Sequence, residues 1–164
     1  MAIAALTRSL WPIDETRYAT VAWDMWQNRQ WLVPHLNGAP YAHKPPVLFW
    51  LMHLGWALFG VNDLWPRLIS PLAGLVTVLL GTRLARRMWP EIPAAALLLP
   101  WLLGFGLYWI GFHNLLMFDG LLALWTMLVW TGLWQAPHRM KFGFALVGVG
   151  LGMGLLSKGP IILL

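Results

Sequence analysis

The sequence predicts an all-α integral membrane protein, and three observations carry that prediction. Hydrophobic residues make up 59% of the 164 and charged residues only 10%, where soluble domains carry about 25% charged residues. Thirteen residues are tryptophan, whose amphipathic ring collects where acyl chains meet water. Long apolar runs are joined by short links, several of them rich in arginine or lysine. The net charge of +5 does not call for nucleic acid, because Arg83, Arg86, Arg87, Arg139 and Lys141 stand at the ends of apolar runs, where cations set orientation. No cysteine is present, which excludes disulfides, thiolate chemistry and cysteine-ligated metal.

The first thirteen residues are too short and broken to span a bilayer, and they lack the order of a signal peptide. No cleaved leader is expected, and the start reads as the truncated end of an earlier helix. Asp14 and Glu15 suit the first turn of a helix, where carboxylates meet free N–H groups. Tyr18, Val21, Ala22 and Met25 then repeat at i, i+3, i+4 and i+7, a narrow apolar stripe flanked by Trp23 and Trp26. With Thr20, Asp24, Gln27 and Asn28 elsewhere, this helix belongs on the membrane surface. Pro34, Asn37-Gly38 and Pro40 mark 32–40 as a loop. Pro45-Pro46 suits another first turn, and the thirteen apolar residues 47–59 are short for a span. They read as a second juxtamembrane helix, ended by Gly60-Val61-Asn62-Asp63. Four spans follow, at 68–85, 92–112, 115–134 and 142–156, and 161–164 opens a fifth.

Orientation follows from the links. Those after the first and third spans hold Arg83, Arg86 and Arg87, and His138, Arg139 and Lys141, whereas the link between the second and third has neither lysine nor arginine. The basic links therefore face the cytoplasm. Residues 14–67, the 113–119 turn and Ser157-Lys158-Gly159 then share the outer face. Nothing separates domains: 1–164 reads as one membrane unit, with 11–67 as its outer catalytic loop and 68–164 as its spanning helices.

Several polar residues on that face can carry chemistry. Asp14 and Arg17 share a helix face; the carboxylate can take a proton from an acceptor and the cation can hold phosphate, although taken alone the pair reads more simply as a helix-start acid with an i, i+3 ion pair. Lys44, fixed before a double proline, suits a lipid phosphate or simply the headgroups. His43 is a candidate metal ligand or a hydrogen-bonded histidine. Asp119 opens an apolar span, where an ionised group faces a cavity or partner unless it only caps the helix. Lys158 also needs a partner unless it snorkels, and Gly159 beside it allows backbone to approach a ligand. Glu91, Asp63, Arg67 and His53 are assigned to loop solvation, capping, interface anchoring and hydrogen bonding. Gly148, Gly150, Gly152 and Gly154 are assigned to close helix packing. There is no G-x-G-x-x-G after a strand, no Walker motif and no H-E-x-x-H, which argues against nucleotide-driven or zinc-hydrolytic chemistry.

Four separated motifs then occur in a known order: DETRYA at 14–19, KPP at 44–46 with its following apolar helix, the acid Asp119 opening the third span, and SKGP at 157–160. In these the chain resembles the bacterial lipid-carrier-dependent glycosyltransferases, relatives of the dolichyl-phosphate-mannose protein O-mannosyltransferases and of the undecaprenyl-phosphate aminoarabinose transferases that modify lipid A. The resemblance covers nearly the whole chain from Trp11. It implies a partial C-type glycosyltransferase fold with two juxtamembrane helices in the first outer loop. It also implies a polyprenyl-phosphate-sugar donor, an acceptor that is a lipid A-like glycolipid or a protein, and a multi-pass place in the bacterial inner membrane with the active face periplasmic. Asp14 matches the family's catalytic aspartate, Arg17, Lys44 and Lys158 match positions on the carrier phosphate, and Asp119 matches the second acid of the outer face. The family commonly has glutamate, associated with a divalent metal, where this chain has His43. Imidazole suits zinc-like metals while magnesium and calcium prefer oxygen, so a metal cofactor is left open. The family has a complete helix before DETRYA and many more spans after SKGP, so the likeness is to an amino-terminal part. The rival expectations are a non-catalytic membrane module that binds polyprenyl phosphate or a partner subunit, and a transporter. A transporter predicts paired broken helices in symmetric halves, which this sequence does not show.

Overall fold

The computed structural model describes residues 10, 12–104, 106 and 115–163. The readings made for the first nine residues, for most of 105–114 including His113, and for Leu164 lie outside them.

Helix α1, Asp14–Asn28, begins at the two acids and buries Tyr18, Val21, Ala22 and Met25, the stripe expected of it. Arg29 ends it in the left-handed region (φ 53°), its N–H reaching the carbonyls of Met25 and Trp26. The segment read as a loop contains a small hairpin, β1 (His35–Leu36) antiparallel to β2 (Ala39–Pro40). Its two turn residues, Asn37 and Gly38, have φ of 53° and 81°, the pair of positive values that a tight hairpin turn needs and that Asn-Gly supplies at least cost.

Helix α2 is Val47–Phe59, with both ends where the prolines and Gly60 put them. Helix α3, Leu64–Met88, is longer at each end than the expected 68–85. The Asn62 side-chain oxygen accepts from Trp65 N–H at 2.8 Å and starts it early, and Arg86 and Arg87 in the last turn suit the negative helix end. Asp63, expected to cap α3, makes no such bond and lies 3.7 Å from Arg67. Helix α4 is Pro93–Gly104, α5 is Phe118–Gln135 and α6 is Met140–Lys158. A short 3-10 helix, Gly159–Leu163, follows α6; Gly159, with φ of 75°, ends α6, and Ile162 packs back on Gly154.

Two stretches, Leu64–Met88 and Met140–Leu163, are long and apolar enough to cross a membrane. Their outer faces carry exposed large apolar side chains, among them Leu72, Leu75 and Leu79 on α3 and Phe142, Phe144 and Val149 on α6. One continuous core joins α1, Tyr41, α2, α3 and the start of α5. Helices α5 and α6 touch backbone to backbone: a Cβ on Gly143 would stand 2.5 Å from Ala136, and one on Gly150 would stand 2.9 Å from the Trp125 carbonyl. Gly154 packs on Ile162, but Gly148 and Gly152 face open space. The glycine run therefore serves packing on alternate members only, because four residues spaced by two cannot all lie on one helix face.

Candidate active site

The site is assembled at the end of the bundle where α5 begins and α6 finishes. The chain enters it through 115–117, bent at 115 and 116 and extended at Met117, and two buried side chains hold that segment. Glu15, 2% exposed on α1, accepts from Leu116 N–H at 2.5 Å. The Ser70 hydroxyl on α3 donates to the Met117 carbonyl at 3.1 Å and accepts from Met117 N–H at 3.3 Å. Spending backbone groups on these partners delays α5 until Phe118, where 115 was expected as its start.

Phe118, 1% exposed, is the hub. Tyr18 meets its ring edge to face at 5.0 Å between centroids and Phe49 at 5.9 Å. The Lys44 ammonium stands over the same ring, 5.7 Å from its centre, a geometry in which the ring quadrupole attracts the cation. The next residue is Asp119, whose carboxylate accepts from Lys158 Nζ at 2.5 Å. Each of these two charges thus has the partner it needs, and the partner is the other. The register that joins them is set one residue earlier, where the buried Ser157 hydroxyl accepts from the Trp125 indole N–H at 2.9 Å and donates to the Met153 carbonyl at 2.7 Å.

Asp14 and Arg17 lie 3.7 Å apart, both side chains about half exposed, so the pair itself contributes little. Burial pushes the Tyr18 phenol up to about 12, with Asp14, Tyr41 and Asp119 adding to the rise and Arg17 opposing it. Burial also raises Tyr41, against a hydrogen bond and a charge from Arg17 that lower it. Both phenols stay neutral at neutral pH and mark where Asp14, Arg17 and Asp119 act on one region. A cavity of about 290 Å³, lined by Arg17, Leu36, Tyr41, His43 and neighbours, opens beside them. Close by, an apolar groove of about 210 Å³ runs between α2, α3 and α5 past Leu51, Ile69, Val76, Leu121 and Trp125.

Of the residues singled out from sequence, Asp14 is therefore brought to Arg17 and Asp119 to Lys158, while Lys44 is set over the ring of Phe118. His43 rests against the Tyr41 ring at 5.3 Å, and among the described residues no three histidine or acidic side chains gather to hold a metal. His53 is the buried hydrogen-bonded histidine expected: Nε2 donates to the Ala22 carbonyl at 2.8 Å, inside a ring of Trp26, Trp31 and Trp56. Sequence reasoning missed Glu15, Ser70, Phe118 and Ser157. Glu15 had a signal, since 15, 18, 22 and 25 fall on one helix face, so it lies on the stripe that is buried.

Comparison with known proteins adds a second line. The profile of the family described as dolichyl-phosphate-mannose-protein mannosyltransferase matches residues 43–164. An undecaprenyl phosphate-alpha-4-amino-4-deoxy-L-arabinose arabinosyl transferase of Pseudomonas savastanoi pv. phaseolicola is 37% identical over 92% of this chain and 29% of its own length. A protein of the same description from Pseudomonas fluorescens is 37% identical over 97% of this chain and 29% of its own. The crystal structure of ArnT from Cupriavidus metallidurans bound to undecaprenyl phosphate superposes with a TM-score of 0.86 at 25% identity, covering 98% of this chain and 30% of that one. The chain thus spans under a third of the length of these relatives.

Proposed function

This chain belongs to the dolichyl-phosphate-mannose-protein mannosyltransferase family, and from that premise we propose that it forms part of a membrane glycosyltransferase. The reaction moves a sugar from a polyprenyl-phosphate-linked donor to a glycolipid acceptor of the lipid A type, at the outer face of a bacterial inner membrane. The chain acts as a single membrane unit in which α3, α4, α5 and α6 cross the bilayer and α1 and α2 lie on its outer surface.

The observation that carries this reading is the gathering of Lys44, Phe118, Asp119 and Lys158 at one end of the bundle, with Asp119 and Lys158 at 2.5 Å. An acceptor oxygen attacks the anomeric carbon, the bond from that carbon to the carrier phosphate breaks, and the phosphate leaves with the bonding electrons. Asp14 takes the proton from the acceptor, as a general base placed at its oxygen does. Arg17, Lys44 and Lys158 hold the leaving phosphate, where charge grows in the transition state and fixed cations act most strongly. Asp119 occupies one of the three N–H groups of Lys158 and leaves two for phosphate oxygens. The isoprenoid chain lies along the apolar groove between α2, α3 and α5.

The test is Asp14→Asn in a full-length version of the protein, with transfer followed from radiolabelled carrier. Loss of about 10²–10⁴-fold in turnover with carrier binding retained is expected of a general base. Unchanged turnover removes Asp14 from the mechanism. Carrier binding with no transfer even before substitution favours the non-catalytic module.

A further inference from the structure

The opposite end of the bundle holds a cavity that sugar transfer does not use. There α3 finishes with Arg86 and Arg87 in its last turn, α5 finishes at Gln135, and α6 starts at Met140 after Arg139. These ends enclose a cavity of about 490 Å³ lined by Arg86, Arg87, Trp134, Gln135, His138 and Arg139. No acidic residue lines it, and among the described residues none of the three guanidinium groups is ion-paired. Guanidinium groups stay charged at any working pH and repel one another when gathered, so a concavity holding three of them is stabilised by an anion. Their planar forks match phosphate oxygens two at a time.

Orientation in the membrane does not explain this arrangement. It needs cations in the links, a role open to Arg83 and Lys141, which do not line the cavity. It does not need cations gathered around one hollow. The surroundings show where the anion comes from. On α5, Trp130 is one helical turn before Trp134 and 58% exposed, and Leu133 is 45% exposed. An acyl chain attached to an anion in the cavity therefore meets apolar surface directly beside it, with Trp134 at the junction where indole rings sit at headgroup level. On α6, Phe142 is 52% exposed and offers the same on the other side.

We propose that this cavity binds the phosphate headgroup of an anionic phospholipid, which ties together the ends of α3, α5 and α6. Basic pockets between membrane helices are suited to this use. The inference stands independently of the transfer reaction, because no residue is shared between the two ends.

The purified chain, released from detergent and weighed intact, tests it with phosphatidylglycerol, phosphatidylcholine and inorganic phosphate as probes. Retention of phosphatidylglycerol over phosphatidylcholine is expected, with inorganic phosphate at equal concentration unable to displace it. The double substitution Arg86→Gln, Arg139→Gln should weaken retention by about tenfold or more, the scale of one lost charged hydrogen bond, while Arg83→Gln leaves it unchanged. The double lysine variant, Arg86→Lys, Arg139→Lys, keeps the charge and should fall between; it also serves if the glutamine variant fails to fold. Equal retention of phosphatidylcholine, equal loss in Arg83→Gln, or displacement by inorganic phosphate overturns the proposal. The last of these would make the cavity a site for a soluble anion.

Discussion

Where α5 begins, Asp119 holds Lys158 at 2.5 Å and the Asp14–Arg17 pair lies on the neighbouring helix. Where α5 ends, 18 residues and about 27 Å away, Arg86, Arg87 and Arg139 face a shared hollow that no carboxylate lines. The first end mixes both signs of charge over an aromatic hub, so its cations keep fixed places without a phosphate present. The second end gathers one sign only and is complete only with an anion in it. On the proposed function, pairing of this kind would let a substrate phosphate arrive and leave without disturbing the fold, whereas unpaired gathering suits a resident anion.

The largest expected effect breaks the first end at its hub. Phe118→Ala removes the ring that Tyr18, Phe49 and Lys44 share, and truncating a buried phenylalanine costs about 3–5 kcal/mol. Thermal unfolding in detergent measures it. A loss below about 1 kcal/mol would mean that the Asp119–Lys158 and Asp14–Arg17 pairs, and not the aromatic packing, hold that end together.

The next effect concerns the α5–α6 contact that joins the two ends. Gly150→Ala drives a Cβ to 2.7 Å from Val129 Cγ2 and 2.9 Å from the Trp125 carbonyl, and overpacking of this kind costs about 1–3 kcal/mol. Gly148→Ala meets nothing within 4 Å and should be neutral or stabilising by about 0.5–1 kcal/mol, from helix propensity alone. Equal effects at the two glycines would contradict the described packing of these helices.

The smallest effect sharpens the comparison through pH. Burial lowers the pKa of His53 below its ordinary 6.5, partly offset by the bond to the Ala22 carbonyl. The neutral ring therefore contributes stability that is present above pH 6.5 and is lost as pH falls through the lowered folded value. Tryptophan fluorescence should report it, because Trp26, Trp31 and Trp56 surround the ring. A His53→Gln variant should lack the acid transition, and an unchanged transition in that variant would assign it elsewhere.

Local chemistry made much of this legible in the sequence. The bounds of α2 follow from Pro45-Pro46 and Gly60, the buried face of α1 follows from its apolar spacing, and the helical course of the remainder follows from its apolar runs. What escaped depends on contacts between distant segments. Asp119 and Lys158 each declared a need for a partner, but a separation of 39 positions hid that each supplies the other's. Glu15 looked like a helix-start acid because Leu116, whose N–H it takes, lies 101 positions away. Asn37-Gly38 signalled a turn, and only the pairing of His35 with Pro40 makes that turn a hairpin. The start of α5 shifted because Ser70 and Glu15 claim backbone groups that periodicity assigns to the helix.

Photo-crosslinking tests the central claim most directly, using a polyprenyl phosphate that carries a photoreactive group at its phosphate end. The account predicts adducts on Arg17, Tyr41, Lys44 and the 115–119 segment, reduced when Lys158 is replaced by alanine. Adducts concentrated instead around Arg86, Trp134 and Arg139 would place the carrier phosphate at the wrong end of the bundle and contradict it.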